Sequence, residues 1–216
     1  DCCPGASPMT EVYVSAFYVD RFPVTNERYQ SCIDAGGCSP IVDDIGGEAI
    51  ADSTRSRNPV RGVFWDQARA FCLWDGGRRL LTEAEWEKAA RGPIPRTPRY
   101  VWGDDPSCAP YISCRDSGSV RDVDAFPGSS SYYGAELLVG SGHEWVSDFY
   151  DPHYYVESES LTDPTGPSGG IYRVRRGWPR ISWGTGAERF SVYRRYADSE
   201  EVGTFNSVFR CARSAP

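Results

Sequence analysis

Residues 58–92 read NPVRGVFWDQARAFCLWDGGRRLLTEAEWEKAARG, and this stretch decides the fold. Its first half predicts a helix, because its apolar side chains recur at helical spacing until Gly76-Gly77 ends the pattern. A second helix is predicted directly afterwards, with Thr82 as N-cap and Glu85 three residues later completing a capping box. Gly92-Pro93 ends it. The stretch therefore predicts two adjacent short helices whose apolar faces pack into the core.

The sequence on either side predicts less regular structure. Residues 12–20 alternate β-forming side chains and predict a strand, and Thr25 caps a short helix that runs to Gly36-Gly37. From Tyr100 onward, short aromatic segments alternate with Gly, Pro, Ser and Asp. No repeat and no linker divides the chain, so we expect one domain over residues 1–216, with helices early and irregular β structure late.

Composition restricts the partners. The net charge is −7, which disfavours binding to the phosphates of nucleic acid. No segment has the ~20 apolar residues that span a bilayer. Eight cysteines outside any CxxC zinc pattern indicate an oxidising compartment, so we expect a secreted, periplasmic or cell-surface protein. A local basic run, Arg173, Arg175, Arg176 and Arg180, is interpreted as a solvated strand face, with an anion site as the alternative.

Seven motifs occur in an order that resembles the formylglycine-generating-enzyme and sulfatase-modifying-factor family. They are VSAFYVDRFPVTNERYQSC (14–32), the stretch quoted above, YVWGDD (100–105), GHEWVSDFYD (142–151), DPTGP (163–167), YRVRRG (172–177) and VFRCARS (208–214). The resemblance covers nearly the whole chain. It implies an α+β fold, the formylglycine-generating-enzyme variant of the C-type-lectin fold, rich in loops and poor in regular secondary structure.

The cysteines agree with this resemblance, which implies a disulfide between Cys72 and Cys211. Two further pairs, Cys32 with Cys38 and Cys108 with Cys114, are close enough in sequence to close their own loops. Cys2 and Cys3 leave three alternatives open: a bridge between neighbours, pairing with another chain, or a lipidated N-terminal cysteine.

The chain departs from the family where the active enzyme carries its chemistry. That enzyme has two cysteines soon after an RGGS-like turn, and they bind copper(I) as thiolates. Residues 176–187 read RGWPRISWGTGA here, with Ser182 and Ala187 near those positions and no cysteine. We therefore expect no copper and no formylglycine formation.

A structural calcium ion is expected at residues 139–144. Members of the family usually read GNVWEW where residues 140–145 read GSGHEW. The resemblance implies that the Glu144 carboxylate binds calcium together with three backbone carbonyls, those of Val139, Gly140 and Gly142. The alternative is that Glu144 accepts backbone hydrogen bonds in a tight turn. A transition metal near His143 and His153 is a further alternative.

The function favoured by the sequence is binding of an unknown protein, peptide or small-molecule ligand. Tryptophan, tyrosine and arginine dominate binding hot spots, and the C-terminal segment is rich in them. The predicted binding residues are Trp178, Arg180, Ser182, Trp183, Thr185, Glu188, Arg189, Tyr196 and Asn206. RGWPR at 176–180 also resembles the variable proteins of diversity-generating retroelements. The alternative function is a metal-dependent oxidoreductase of the same family, acting on a peptide or small molecule, with His143, Glu144 and His153 as the available ligands.

Overall fold

The structure, a computed structural model, describes residues 10–41, 50–105, 120–126, 129–157, 161–178, 187–201 and 206–216. Within them lie helices α1 (Asn26–Asp34), α2 (Trp65–Trp74), α3 (Glu83–Arg91) and the single turn α4 (Tyr154–Glu157). The predicted capping box of α3 is confirmed: the Thr82 hydroxyl accepts from the Glu85 amide at 3.2 Å, and the Glu85 carboxylate accepts from the Thr82 amide at 2.8 Å. The predicted first strand is shorter than expected.

Two small sheets carry the rest of the regular structure. The first is antiparallel, in the order β1 (Phe17–Val19), β7 (Cys211–Ser214), β2 (Arg79–Leu80). The second has the order β5 (Tyr196–Ser199), β4 (Tyr172–Arg176), β3 (His143–Phe149), β6 (Ser207–Val208). Only the β3–β6 pair in the second sheet is parallel. The described chain is therefore α+β with short elements, as the sequence predicts.

Disulfides fasten the helices to the end of the chain. Cys72 on α2 is bonded to Cys211 on β7, and Cys32 is bonded to Cys38 just after α1, which confirms two of the predicted pairs. Cys108 and Cys114 lie outside the described residues, as do Cys2 and Cys3. The Cys72–Cys211 bond closes a loop of 139 residues, which in the chain-entropy model restricts the unfolded state by roughly 5 kcal/mol.

One fully buried arginine joins most of these elements. Arg210, just before β7, donates to both carboxylate oxygens of Glu144 on β3 at 2.6–3.0 Å. It also donates to the backbone carbonyls of Asp20, Arg21 and Glu136. The indole of Trp86 on α3 donates to the same Glu144 carboxylate at 2.8 Å. We call this group the Arg210 hub, and it connects both sheets with α3.

The expectation of a solvated arginine face on β4 is wrong. Arg176 is 1% exposed and Arg175 is 7% exposed, and each pairs with a carboxylate on another element. Arg173 lies between the rings of Trp65 and Phe149 and pairs with Glu200. Burying an arginine requires a paired carboxylate, so these ion pairs connect β4 to the neighbouring elements. None of the helices in the described residues is long and apolar enough to cross a membrane.

Candidate functional site

A cluster of rings forms where β3, β4 and β5 lie side by side. His143 opens β3, Trp178 follows β4 by two residues, and Tyr196 opens β5. The His143 ring centroid is 4.9 Å from that of Trp178 and 4.6 Å from that of Tyr196, and the Trp178 and Tyr196 centroids are 5.2 Å apart. The guanidinium of Arg189 lies over Trp178 at 4.8 Å. We call these four residues the ring cluster.

His143 is an uncharged member of the cluster. It is 8% exposed, and its Nδ1 lies 3.0 Å from the carbonyl oxygen of Gly177. Burial and the nearby positive charge of Arg175 lower the pKa of His143 to about 3, although the hydrogen bond with Gly177 acts in the opposite direction. The imidazole is therefore neutral at physiological pH and presents a flat polar ring to its neighbours.

A buried glutamate holds the strands that carry the cluster. Glu83, the first residue of α3, accepts from Arg176 at 2.7 Å and from Arg195 at 2.7 and 2.8 Å. Burial acts to raise the pKa of Glu83, but the two guanidinium groups outweigh it and hold the pKa below its ordinary value. Arg176 precedes Gly177-Trp178 and Arg195 precedes Tyr196, so this Glu83 clamp fixes the backbone beside two rings of the cluster.

Gly177 allows the backbone just before Trp178 to pass close to Leu138. Its φ is +75°, in the left-handed region that disfavours other residues. A Cβ built on it would lie 2.5 Å from the carbonyl oxygen of Leu138. The amide of Gly140 donates to the carbonyl of Trp178 at 2.7 Å, which attaches this turn to the loop before β3. The position of Trp178 therefore depends on backbone geometry as well as on ring contacts.

Asp148 lies buried beside the Glu83 clamp. Its Oδ2 accepts from the Glu83 amide at 2.9 Å and from the Ser147 hydroxyl at 3.0 Å. Its Oδ1 has no hydrogen-bond partner among the described residues. Burial and the negative charge of Glu83 raise the pKa of Asp148 to about 7, because ionisation would place a second carboxylate charge in the interior.

The structure brings together part of the predicted binding set. Trp178, Arg189 and Tyr196 meet in the ring cluster, and Glu188 is exposed on the same 3₁₀ turn as Arg189. The Asn206 carbonyl accepts from the His143 amide at 2.6 Å, so the backbone of Asn206 supports the cluster. Four predicted residues lie outside the described residues: Arg180, Ser182, Trp183 and Thr185.

Sequence reasoning missed His143 as a member of this group. It considered the histidine only as a metal ligand, because nothing in the local sequence shows that residue 143 will lie against residues 178 and 196. The antiparallel pairing of Glu144 with Arg176 produces that proximity. A strand-pairing argument that placed GHEW beside YRVRRG could have found it.

Comparison with known proteins identifies the family. The model of the sulfatase-modifying factor enzyme 1-like domain matches residues 4–215, which is almost the whole chain. The chain belongs to this family. A formylglycine-generating enzyme of Streptomyces coelicolor is 29% identical over 98% of this chain and 82% of its own length.

Solved structures with the same fold have more distant sequences. The Treponema denticola variable protein 1 superimposes with a TM-score of 0.73 at 23% identity, over 94% of this chain and 86% of that one. PvdO from Pseudomonas aeruginosa gives a TM-score of 0.75 at 18% identity, over 98% of this chain and 86% of that one. At these identities the likeness is one of fold.

The calcium ligand set expected for this sulfatase-modifying-factor domain does not fit the residues present. Both oxygens of Glu144 already accept from Arg210, and Trp86 donates to one of them. The carbonyls of Val139, Gly140 and Gly142 are neutral and would be left without a charged ligand. Calcium sites are usually built around carboxylates. The alternative, in which Glu144 accepts backbone hydrogen bonds in a tight turn, does not describe it either, because Glu144 lies in strand β3 and its carboxylate accepts from the side chains of Arg210 and Trp86.

The histidines do not form a transition-metal site in the described part of the chain. No three His, Cys, Asp or Glu residues there are grouped so as to hold an ion. His143 is buried in the ring cluster, whereas His153 is exposed and its amide donates to Asp151. The two histidines therefore have separate surroundings.

We predict that Asp148→Asn changes how stability depends on pH. The folded-state pKa of Asp148 is raised to about 7, so the folded protein keeps a proton that the unfolded chain loses above about pH 4. Its contribution is therefore full below pH 4 and is lost as the pH rises to 7, by at most about 1.4 kcal/mol per pH unit. Urea denaturation of both proteins from pH 4 to 7.5 measures this difference.

The comparison with wild type is needed because His143 acts in the opposite sense. Its lowered pKa makes its contribution full above about pH 6.5 and removes it as the pH falls. The difference between Asp148→Asn and wild type isolates Asp148, and it should favour the variant increasingly as pH rises. A difference that is constant with pH would contradict the raised pKa.

For calcium, we predict that Glu144→Gln lowers the melting temperature equally in calcium and in chelator. The loss arises from the broken contact with Arg210, which calcium cannot restore. Differential scanning calorimetry in both buffers measures it. A loss confined to the calcium buffer would assign Glu144 as a calcium ligand.

Proposed function

We propose that this chain is an extracytoplasmic recognition domain that binds a protein, peptide or small-molecule ligand through the ring cluster. The single observation that carries the proposal is the meeting of Trp178, Arg189 and Tyr196. Residues that are 18 positions apart along the chain converge through strand pairing rather than through local sequence. The proposal also includes Arg180, Ser182, Trp183 and Thr185, which lie outside the described residues and are assigned on sequence alone.

The chemistry of the cluster suits contact with a ligand. Trp178 and Tyr196 are half-buried, so each is held in place on one side and accessible on the other. The Trp178 ring offers a rigid apolar surface, since its Nε1 is buried, and the Arg189 guanidinium over it supplies charge and hydrogen-bond donors. The Glu83 clamp keeps these groups fixed before binding, and this reduces the entropy that association would lose.

The missing cysteines support binding over the chemistry of the active relatives. Residues 176–187 contain no thiol, and serine or alanine cannot form a thiolate site for copper(I). A domain of this fold that lacks the copper-binding cysteines still has a surface that can bind a ligand. The disulfides Cys32–Cys38 and Cys72–Cys211 support an oxidising compartment, which is the basis for proposing a place outside the cytoplasm.

Diversification of the face is part of the proposal. The Treponema neighbour is by its name a variable protein, and it has the same fold as this chain. In this chain the proposed face lies on strand ends while its supports are buried, so the face residues could be exchanged without disturbing those supports. A near-identical template repeat beside a reverse-transcriptase gene would support diversification, and its absence from the source genome would remove this part.

The second candidate function is a metal-dependent oxidoreductase, and the observation in its favour is membership of an enzyme family, with a formylglycine-generating enzyme 29% identical to this chain. We predict that the purified protein contains no stoichiometric copper or iron and forms no formylglycine from a sulfatase-type peptide supplied with copper(I). The reason is the lack of a thiolate pair at 176–187. Elemental analysis and mass spectrometry of the peptide test this prediction. Stoichiometric metal with turnover would replace binding by catalysis.

We predict different costs for two tryptophan truncations. Trp178→Ala should lower the free energy of unfolding by about 2 kcal/mol or less, because part of the ring faces solvent. The matched control, Trp145→Ala, should cost about 3–5 kcal/mol, because Trp145 is 1% exposed. Urea denaturation measures both. Equal losses would make Trp178 a core residue and count against the face.

Once a ligand is known, Trp178→Ala should weaken binding by about 2 kcal/mol or more.

A further inference from the structure

A cleft lies between the end of β1 and the turn at residues 131–134, and none of its lining residues belongs to the ring cluster. Its volume is about 350 Å³, within the size range of small-molecule sites. It is lined by Val19, Arg21, Ser130, Tyr133, Gly134 and Ala135. The lining thus combines one guanidinium, one serine hydroxyl and one phenol ring with small apolar groups.

Arg21 offers unused hydrogen-bond donors to the cleft. Its Nε and Nη2 both donate to a single oxygen of Glu136, at 2.9 and 2.6 Å, and Nη1 donates to no described residue. The side chain is 67% exposed, whereas Glu136 is almost fully buried. Arg21 is therefore anchored at one edge and free to receive a second acceptor at the other. A guanidinium in this state is suited to a carboxylate, which can accept two parallel hydrogen bonds.

Tyr133 forms the aromatic wall. Its ring is 47% exposed and meets the ring of Tyr132 edge-on, with centroids 5.1 Å apart. Tyr132 lies against Gly92 at the end of α3, and the guanidinium of Arg96 lies 5.2 Å from its ring centroid. No carboxylate among the described residues pairs with Arg96. Tyr133 therefore packs on a ring that contacts the end of α3, and the positive charge of Arg96 lies beside that ring.

Backbone hydrogen bonds hold the two sides of the cleft together. The Glu136 amide donates to the Arg21 carbonyl at 2.7 Å, and the Ser131 amide donates to the Ala135 carbonyl at 2.8 Å. Gly134 has a φ of +85°, which completes the tight turn. The Arg210 hub binds the carbonyls of Arg21 and Glu136, so both sides rest on the same buried arginine. Such a cleft is preformed, which favours binding of small ligands.

We propose that this cleft is a second binding site, specific for a small carboxylate attached to an aromatic ring. The carboxylate pairs with the free edge of Arg21, and the ring packs against Tyr133 in the geometry that aromatic pairs prefer. Arg96 adds long-range attraction for the anion. The site shares none of its lining residues with the ring cluster, and the proposal stands whether or not the ring cluster binds a ligand.

Three fluorinated probes with the same ring test this site. They are para-fluorobenzoate, para-fluorobenzamide and para-fluorobenzylamine, which carry negative, neutral and positive groups. Titration followed by ¹⁹F NMR line width should give a dissociation constant for the benzoate of about 1 mM, as suits a ligand of this size. The amide and the amine should bind at least about tenfold more weakly, since each lacks the carboxylate.

Variants locate the binding. Tyr133→Ala should weaken benzoate binding about tenfold. Tyr133→Phe should bind benzoate as the wild type does, since the ring rather than the hydroxyl makes the contact. Arg21→Lys keeps a charge beside Glu136 but loses the planar fork, so it should weaken binding about tenfold without unfolding the protein. The matched control is Tyr172→Ala, which removes a tyrosine of similar exposure from β4 and should leave binding unchanged.

Three results would overturn the proposal. The first is equal affinity for all three probes, and the second is no detectable binding of the benzoate. The third is a loss of binding in Tyr172→Ala that matches the loss in Tyr133→Ala. Circular dichroism of each variant confirms that a lost signal comes from the cleft and not from unfolding.

Discussion

The structure depends most on the contact between Arg210 and Glu144. A guanidinium that is fully buried must have all its donors satisfied, and Arg210 achieves this with one carboxylate and three backbone carbonyls. Those partners come from the N-terminal segment, the loop before β3, and β3 itself. With little regular secondary structure, the protein has few long ladders of backbone hydrogen bonds. A central charged hub supplies the connections between short elements that such ladders supply in other folds.

The Glu83 clamp repeats this arrangement closer to the proposed binding face. Buried ion pairs contribute little net stability, because desolvation of the charges offsets their attraction, but they penalise every arrangement that leaves a charge unpaired. Here that penalty fixes where β4 ends and where β5 begins, and therefore where Trp178 and Tyr196 lie. The division between buried charged supports and half-buried aromatic contacts is consistent with the proposed recognition function.

The sequence predicted the features that depend on local chemistry or on motif resemblance. Thr82 and Glu85 lie three residues apart, so their capping box could be seen directly, and the resemblance supplied the Cys72–Cys211 pair. The role of the β4 arginines could not be predicted, because the carboxylates that neutralise Arg176 lie on α3, about ninety positions earlier. Likewise, Glu144 looked available for calcium because its arginine partner lies 66 residues away. Contacts set by tertiary pairing leave no local pattern in the sequence.

The measurement that tests this account most directly is a double-mutant cycle on Glu144 and Arg210, read by urea denaturation at pH 7. Arg210→Met leaves a buried carboxylate unpaired, and Glu144→Gln leaves a buried guanidinium without its counter-charge, so each should cost about 3–5 kcal/mol. Once one partner is gone, removing the other should cost much less, giving a coupling energy of about 2 kcal/mol or more. Single variants within about 0.5 kcal/mol of wild type, the range of ordinary surface substitutions, would contradict the claim that this contact holds the fold together.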